Sequence, residues 1–180
     1  PAPGLQALPT GSVALVLDAG TGEPLSGAEI FAAPPPGDGP SPAVAATGRD
    51  GRFALAGDPA RTVLVRLRGY LPEVARLRRS GPARIRLCRP GAVRGRLLDE
   101  EGAPLAGVTI RGRCAAALDA AEAATGPDGT FRLDGLRPGR WLLGPASGAA
   151  AGGTASVDVA AGATSLAVLR PRRAPDGSLC

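Results

Sequence analysis

Two places in this chain hold residue types that could do chemistry. Asp99, Glu100 and Glu101 are three consecutive carboxylates, the raw material of a general acid–base pair, and Pro1 offers a secondary amine as a base. Three adjacent acids before Gly102 read more simply as a solvated turn, and P-A-P-G (1–4) reads as a flexible terminus. The residue types that are missing exclude most other mechanisms. The sequence has no His, Lys, Asn or Met, and all 21 basic residues are Arg. Ser-His and Cys-His pairs, Ser-Lys dyads and Schiff-base lysines are therefore impossible. A phosphate-binding Walker loop lacks its Lys, and a Lys–Asn isopeptide crosslink cannot form. Zinc could be held only by carboxylates and by Cys88, Cys114 and Cys180, which are scattered and form no C-x-x-C pair. The expectation is a protein that is not an enzyme, with no catalytic residue, metal or cofactor.

Binding chemistry has more material. From Arg66 to Arg89 there are eight arginines against one acid, Glu73. Side chains alternate along a strand, so Arg66 and Arg68 would point one way, as would Arg84 and Arg86. If those strands are neighbours, the four guanidinia make a basic stripe suited to an acidic polysaccharide or a lipopolysaccharide phosphate. The competing reading is a solvated sheet face in a protein that uses Arg wherever others use Lys. Nucleic acid is the poorest of these polyanions, because stacking platforms need aromatics and the chain has only five. Tyr70 and Trp141 are the candidates for a glycan contact by stacking, and a packing role in a core or at a sheet edge competes for both.

These residues must be placed by a chain of unusual composition. Gly (27) and Pro (19) make up about a quarter of its 180 residues, near the level where low complexity becomes a concern. The net charge of +5 is too small to hold the chain open by self-repulsion. No apolar stretch approaches the roughly 20 residues that span a bilayer. Three Cys are too few for a disulfide framework, and the sequence does not choose a pair among them.

Internal repetition resolves the organisation. At an offset of 80, Gly11, Val13, Leu17, Gly22, Pro24, Leu25, Gly27 and Ile30 fall on identical residues at 91, 93, 97, 102, 104, 105, 107 and 110. At an offset of 78, A-A-T-G-R-D-G-R-F-A-L (45–55) falls on A-A-T-G-P-D-G-T-F-R-L (123–133). A period of about 80 residues is a domain, since solenoids and propellers repeat at roughly 20 to 50. The predicted layout is a flexible segment over 1–10, domains over 11–89 and 90–170, and a tail over 171–180. Gly and Pro then fall mostly at duplicated turns, where they specify a fold.

Each copy reads as all-β. V-A-L-V-L (13–17) and V-R-G-R-L-L (93–98) are first strands, and A-E-I-F (28–31) and V-T-I-R (108–111) are second strands. Asp50-Gly51 and Asp128-Gly129 are turn dipeptides, because Gly accepts positive φ. They lead into alternating strands that face Phe53, Leu55, Phe131 and Leu133 inwards. Strands over 62–70 and 140–143, then 83–87 and 165–169, complete the copies. C-A-A-A-L-D-A-A-E-A-A (114–124) has helical propensity. Its proline-rich repeat partner cannot be helical, so both segments are expected to be connecting loops. Six or seven short strands per copy argue for a sandwich.

Both copies resemble the carboxypeptidase regulatory-like domain, a transthyretin-like, Ig-like β-sandwich of about seven strands. The motifs that carry the resemblance in copy one are G-S-V, G-E-P-L-S-G-A-E-I, T-G-R-D-G-R-F-A-L and R-G-Y-L-P. In copy two they are G-A-V, G-A-P-L-A-G-V-T-I, T-G-P-D-G-T-F-R-L and R-P-G-R-W-L-L. Copy one lacks the P-G before its later strand, and copy two lacks the G-Y. The resemblance implies a non-catalytic spacer, scaffold or adhesion module of a secreted or cell-envelope bacterial protein, placed extracellularly, in the periplasm or at the cell surface. Its partners would be other domains of a longer parent or cell-surface polysaccharide. The alternatives are a carbohydrate- or polyanion-binding module, or an accessory domain of a linked metallocarboxypeptidase whose catalytic half lies outside this sequence.

Overall fold

The computed structural model of the chain describes residues 11–33, 42–56, 62–78, 83–146 and 153–170. The expected flexible segment 1–10, the tail 171–180 and Cys180 lie outside the described residues. The chain divides into two compact units, Pro1–Cys88 and Arg89–Cys180.

The first unit contains β1 (Gly11–Asp18), β2 (Glu29–Ala33), β3 (Ala45–Ala46), β4 (Arg52–Ala56), β5 (Thr62–Arg66), β6 (Glu73–Arg76) and β7 (Ala83–Leu87). They form two sheets, ordered β4-β1-β7 and β3-β2-β5-β6. The second unit contains β8 (Gly91–Leu97), β9 (Thr109–Cys114), β10 (Ala120–Ala124), β11 (Thr130–Leu136), β12 (Gly139–Pro145), β13 (Ala155–Val159) and β14 (Thr164–Leu169). Its sheets are ordered β11-β8-β14 and β10-β9-β12-β13, the same topology strand for strand. In each unit the first strand runs parallel to the last, and the other neighbours are antiparallel.

Alternation builds each core. Val63 and Val65 of β5 and Ile85 and Leu87 of β7 point inwards against Phe53, Leu55 and Ile30. In the second unit Val93, Leu97, Ile110, Phe131, Leu133, Trp141 and Leu143 do the same. The four inward residues expected after the Asp-Gly turns, Phe53, Leu55, Phe131 and Leu133, are all buried.

The register of the repeat differs from the ungapped reading. The offset of 80 aligns Val13 with Val93, yet Val13 is 38% exposed and Val93 is 0% exposed. Hydrogen bonds give the true equivalence. Val16 donates its N–H to Gly51 O (2.8 Å) and accepts from Leu25 N–H (2.9 Å), as Leu97 donates to Gly129 O (2.9 Å) and accepts from Leu105 N–H (3.1 Å). The offset is thus 81 in the first strand and 80 after it. The extra residue lies in the following turn, where Gly22 N–H reaches back four residues to Asp18 O but Gly102 N–H reaches back three to Asp99 O. A one-residue slip transfers every side chain to the other face, so the identities at Gly11, Val13 and Leu17 are not structural equivalences.

A second correction concerns 114–124, expected to be a loop. Ala120–Ala124 is β10, paired with β9 so that Ala123 faces Ile110 and Glu122 faces Arg111. Ala121 and Ala123 pack against the core, and Arg111 Nε bonds Glu122 Oε1 at 2.6 Å. Tertiary pairing overrides alanine's weak helical preference. The strand expected over 62–70 ends at Arg66, and Tyr70 closes a turn by donating its N–H to Leu67 O at 3.0 Å.

Candidate functional site

The T-G-x-D-G motif is the most specific pattern in the sequence, and its polar atoms serve the loops of the fold. Thr47 and Thr125 are 6% and 5% exposed. Thr47 Oγ1 accepts from Ala28 N–H (2.8 Å) and donates to Leu25 O (2.7 Å). Thr125 Oγ1 accepts from Val108 N–H (2.9 Å) and donates to Leu105 O (2.7 Å). Each threonine therefore clips the G-x-P-L-x-G loop onto the sandwich. Gly51 and Gly129 both have φ +72, and a Cβ there would come within 2.8 Å of Val16 O and 2.5 Å of Leu97 O. Asp50 and Asp128 cap the turn by accepting from the N–H of Arg52 and Thr130 (both 3.1 Å). The Thr130 hydroxyl also donates to Asp128 Oδ1 at 2.7 Å, and this bond is the largest cause holding that carboxyl below its ordinary value.

The first residue of the acidic triplet is used in the same way. Asp99 Oδ1 accepts from Ala103 N–H at 2.7 Å within its turn. Among the described residues no group of three His, Cys, Asp or Glu is placed to hold a metal ion. Pro1 lies outside the described residues. Cys88 is half-buried, Cys114 is buried in the second core, and both are free thiols.

The four arginines expected to form one stripe do not. Arg66 lies on β5 and Arg84 and Arg86 lie on β7, and these strands belong to different sheets of the sandwich. All three side chains are exposed. They project from the outer faces of the two sheets, which point away from each other. Arg68 is in the turn after β5 and not in a strand. Trp141 also leaves the candidate set. It is 1% exposed, with its indole N–H donating to Arg137 O at 2.8 Å, so no ring face is open to a sugar.

Three of the expected residues do come together. Arg66, Arg68 and Tyr70 line one surface groove of about 430 Å³ with Glu29, Leu67 and Pro72. The register places Glu29 directly opposite Arg66. The Arg66 guanidinium lies over the Phe31 ring, 5.3 Å from its centroid, in a cation–π contact. Tyr70 is half-buried with its ring against the first core, and its hydroxyl donates to Asp18 Oδ2 at 2.7 Å. Asp18, 5% exposed, also accepts from Gly20 N–H (2.7 Å) and Thr21 N–H (3.2 Å). Neither Arg66 nor Arg68 has an acid partner among the described residues. In the second unit Arg96, Arg111, Arg132, Arg137 and Arg140 each have one. Sequence reasoning missed Glu29, and cross-strand pairing of β2 with β5 is the signal that would have found it.

The family model of the carboxypeptidase regulatory-like domain matches residues 92–170. No curated protein matches the chain. Among solved structures, the chain is similar to GBS52, the minor pilin of the gram-positive pathogen Streptococcus agalactiae. That likeness has 15% identity and a TM-score of 0.45, and covers 92% of this chain and 97% of that one. A streptococcal ancillary pilin follows at 14% identity and a TM-score of 0.45, covering 91% and 62%. The Bacillus anthracis TIE protein has 12% identity and a TM-score of 0.40, covering 89% and 33%. Likenesses this distant carry no assignment of function. The matched segment begins one residue into β8 and ends one residue after β14, so it spans one complete sandwich. Residues 92–170, the second domain, match the carboxypeptidase regulatory-like domain family, and the first domain repeats their strand order.

Proposed function

We propose that this chain is a non-catalytic structural module, a spacer or adhesion unit, of a secreted or cell-envelope bacterial protein. The observation that carries the reading is the use of the motif's polar groups. Among the described residues Thr47, Thr125 and Asp18 are the buried polar ones, and each is hydrogen-bonded to its own domain's loops. A sandwich duplicated strand for strand with those loop clips intact has retained folding and repetition. That is what a unit needs when its task is to hold neighbouring segments apart. Family membership supports the same reading, since domains of this kind accompany other domains.

The test is location and accessibility in the native host. Surface protease treatment of intact cells, followed by immunodetection, is expected to cleave the protein, or to find it in the periplasm or medium. Recovery only from the cytosolic fraction would overturn the proposal.

A further inference from the structure

The groove on the first domain has a chemistry that its repeat lacks. By the register of β2 with β5 and β9 with β12, Glu29 and Arg66 correspond to Thr109 and Ala146, whose backbones are bonded at 2.8 Å. The Arg-Glu pair is therefore not a consequence of the duplicated fold. Two guanidinia with no acid partner among the described residues stand here beside one carboxylate, in a groove also lined by Leu67, Pro72 and Tyr70. The volume of about 430 Å³ falls within the roughly 300–1,000 Å³ of small-ligand clefts.

The geometry points to this groove as a binding site for a hexuronate unit of an acidic polysaccharide. Arginine presents paired N–H donors that match a carboxylate, and the Arg66 guanidinium already rests over Phe31. The Glu29 carboxylate makes no side-chain hydrogen bond or ion pair among the described residues and is the kind of acceptor that sugar hydroxyls seek. The apolar lining suits the C–H face of a pyranose. Two positive charges against one negative favour a ligand with one charge per sugar over a densely sulfated or phosphorylated chain, which Glu29 repels. The site goes beyond the structural role proposed above and does not depend on it.

The experiment measures binding of trigalacturonate to the full chain by calorimetry, against two charge-matched double variants. Arg66→Gln/Arg68→Gln is expected to weaken binding at least tenfold. Arg84→Gln/Arg86→Gln removes the same charge from the same domain and is expected to change it less than twofold. Equal loss in both pairs would mean bulk attraction and would overturn the site, as would no binding of the unsubstituted chain at millimolar ligand. All four arginines are exposed, and circular dichroism of each variant verifies the fold. Maltotriose, neutral and of equal length, is expected to bind at least tenfold more weakly, and equal binding would overturn the role of the carboxylate. A tripeptide with a free C-terminal carboxylate separates the other source of that group. Should it bind as tightly as the uronate with the same dependence on Arg66 and Arg68, the assignment to a sugar fails. Glu29→Gln is expected to weaken trigalacturonate several-fold, and a gain in affinity would overturn its role as a hydroxyl acceptor.

Discussion

Asp18 and Tyr70 are 52 positions apart, and their hydrogen bond ties the turn after β1 to the turn after β5. Its partner is a carboxylate almost removed from water, where charge-assisted bonds are strongest. Tyr70→Phe keeps the ring and removes the donor, so urea denaturation should show a loss of about 1.5–3 kcal/mol. No change would mean that water replaces the hydroxyl. Thr47→Val and Thr125→Val preserve volume and strand the same loop N–H and C=O, so each should cost about 1–3 kcal/mol. Two equal losses would confirm that the clip is one device used twice. Asp128 supplies the acid-side prediction. Its folded carboxyl lies below the ordinary 3.8, held there first by the Thr130 hydroxyl. A depressed acid contributes stability above its unfolded value, and that contribution is lost as pH falls through the folded value. Thr130→Val should therefore raise the Asp128 midpoint towards 3.8 in an NMR titration, moving the loss to higher pH. An unchanged midpoint would mean that the backbone N–H groups and Arg96 hold it down without the hydroxyl.

Strands with strict alternation and turns with forced geometry were legible before any coordinates. Phe131 and Leu133 lie inward because Asp128-Gly129 allows one way into the strand. Gly129 could not be another residue without driving a Cβ against Leu97 O. The first strand was readable as a strand and not in its register. Val13 and Val93 are the same residue type at the same ungapped position, but composition does not reveal a one-residue difference in a later turn. β10 escaped for a different reason. Its alanines carry no β signal of their own, and only pairing with β9 makes them a strand. Edges differ between the repeats as well. Arg84 and Arg86 face outward on edge strand β7, whereas Leu166 and Val168, 81% and 60% exposed, face outward on edge strand β14. Since the offset changes from 81 to 80 within that turn, deleting Thr21 makes the first copy as short there as the second. It should leave a folded protein with the far-ultraviolet spectrum unchanged. Deleting Ala14 inside β1 flips its remaining side chains and should abolish the fold of that unit. Unfolding by the Thr21 deletion would show that the longer turn is required.

At the scale of the whole chain, the groove and the duplication give different lessons. Tandem organisation came from sequence identity, while the grouping of Arg66 and Arg68 with Glu29, and not with Arg84 and Arg86, came from sheet membership. Strand neighbours are long-range facts, and alternation within one strand does not contain them. Among the described residues the two core clusters share no member. Each has its own buried set, so each has the means to unfold as its own cooperative unit. Leu143 and Leu87 are both 0% exposed, one in each core. Either Leu→Ala change removes buried methyl groups and leaves a cavity, at a cost of about 2–5 kcal/mol. Amide exchange locates where that cost falls. Leu143→Ala should speed exchange at the Leu97 and Leu105 amides while leaving Val16 and Leu25 protected, and Leu87→Ala should do the reverse. Equal acceleration in both units from either change would show that the domains unfold together, and that the duplicated sandwich is one cooperative body.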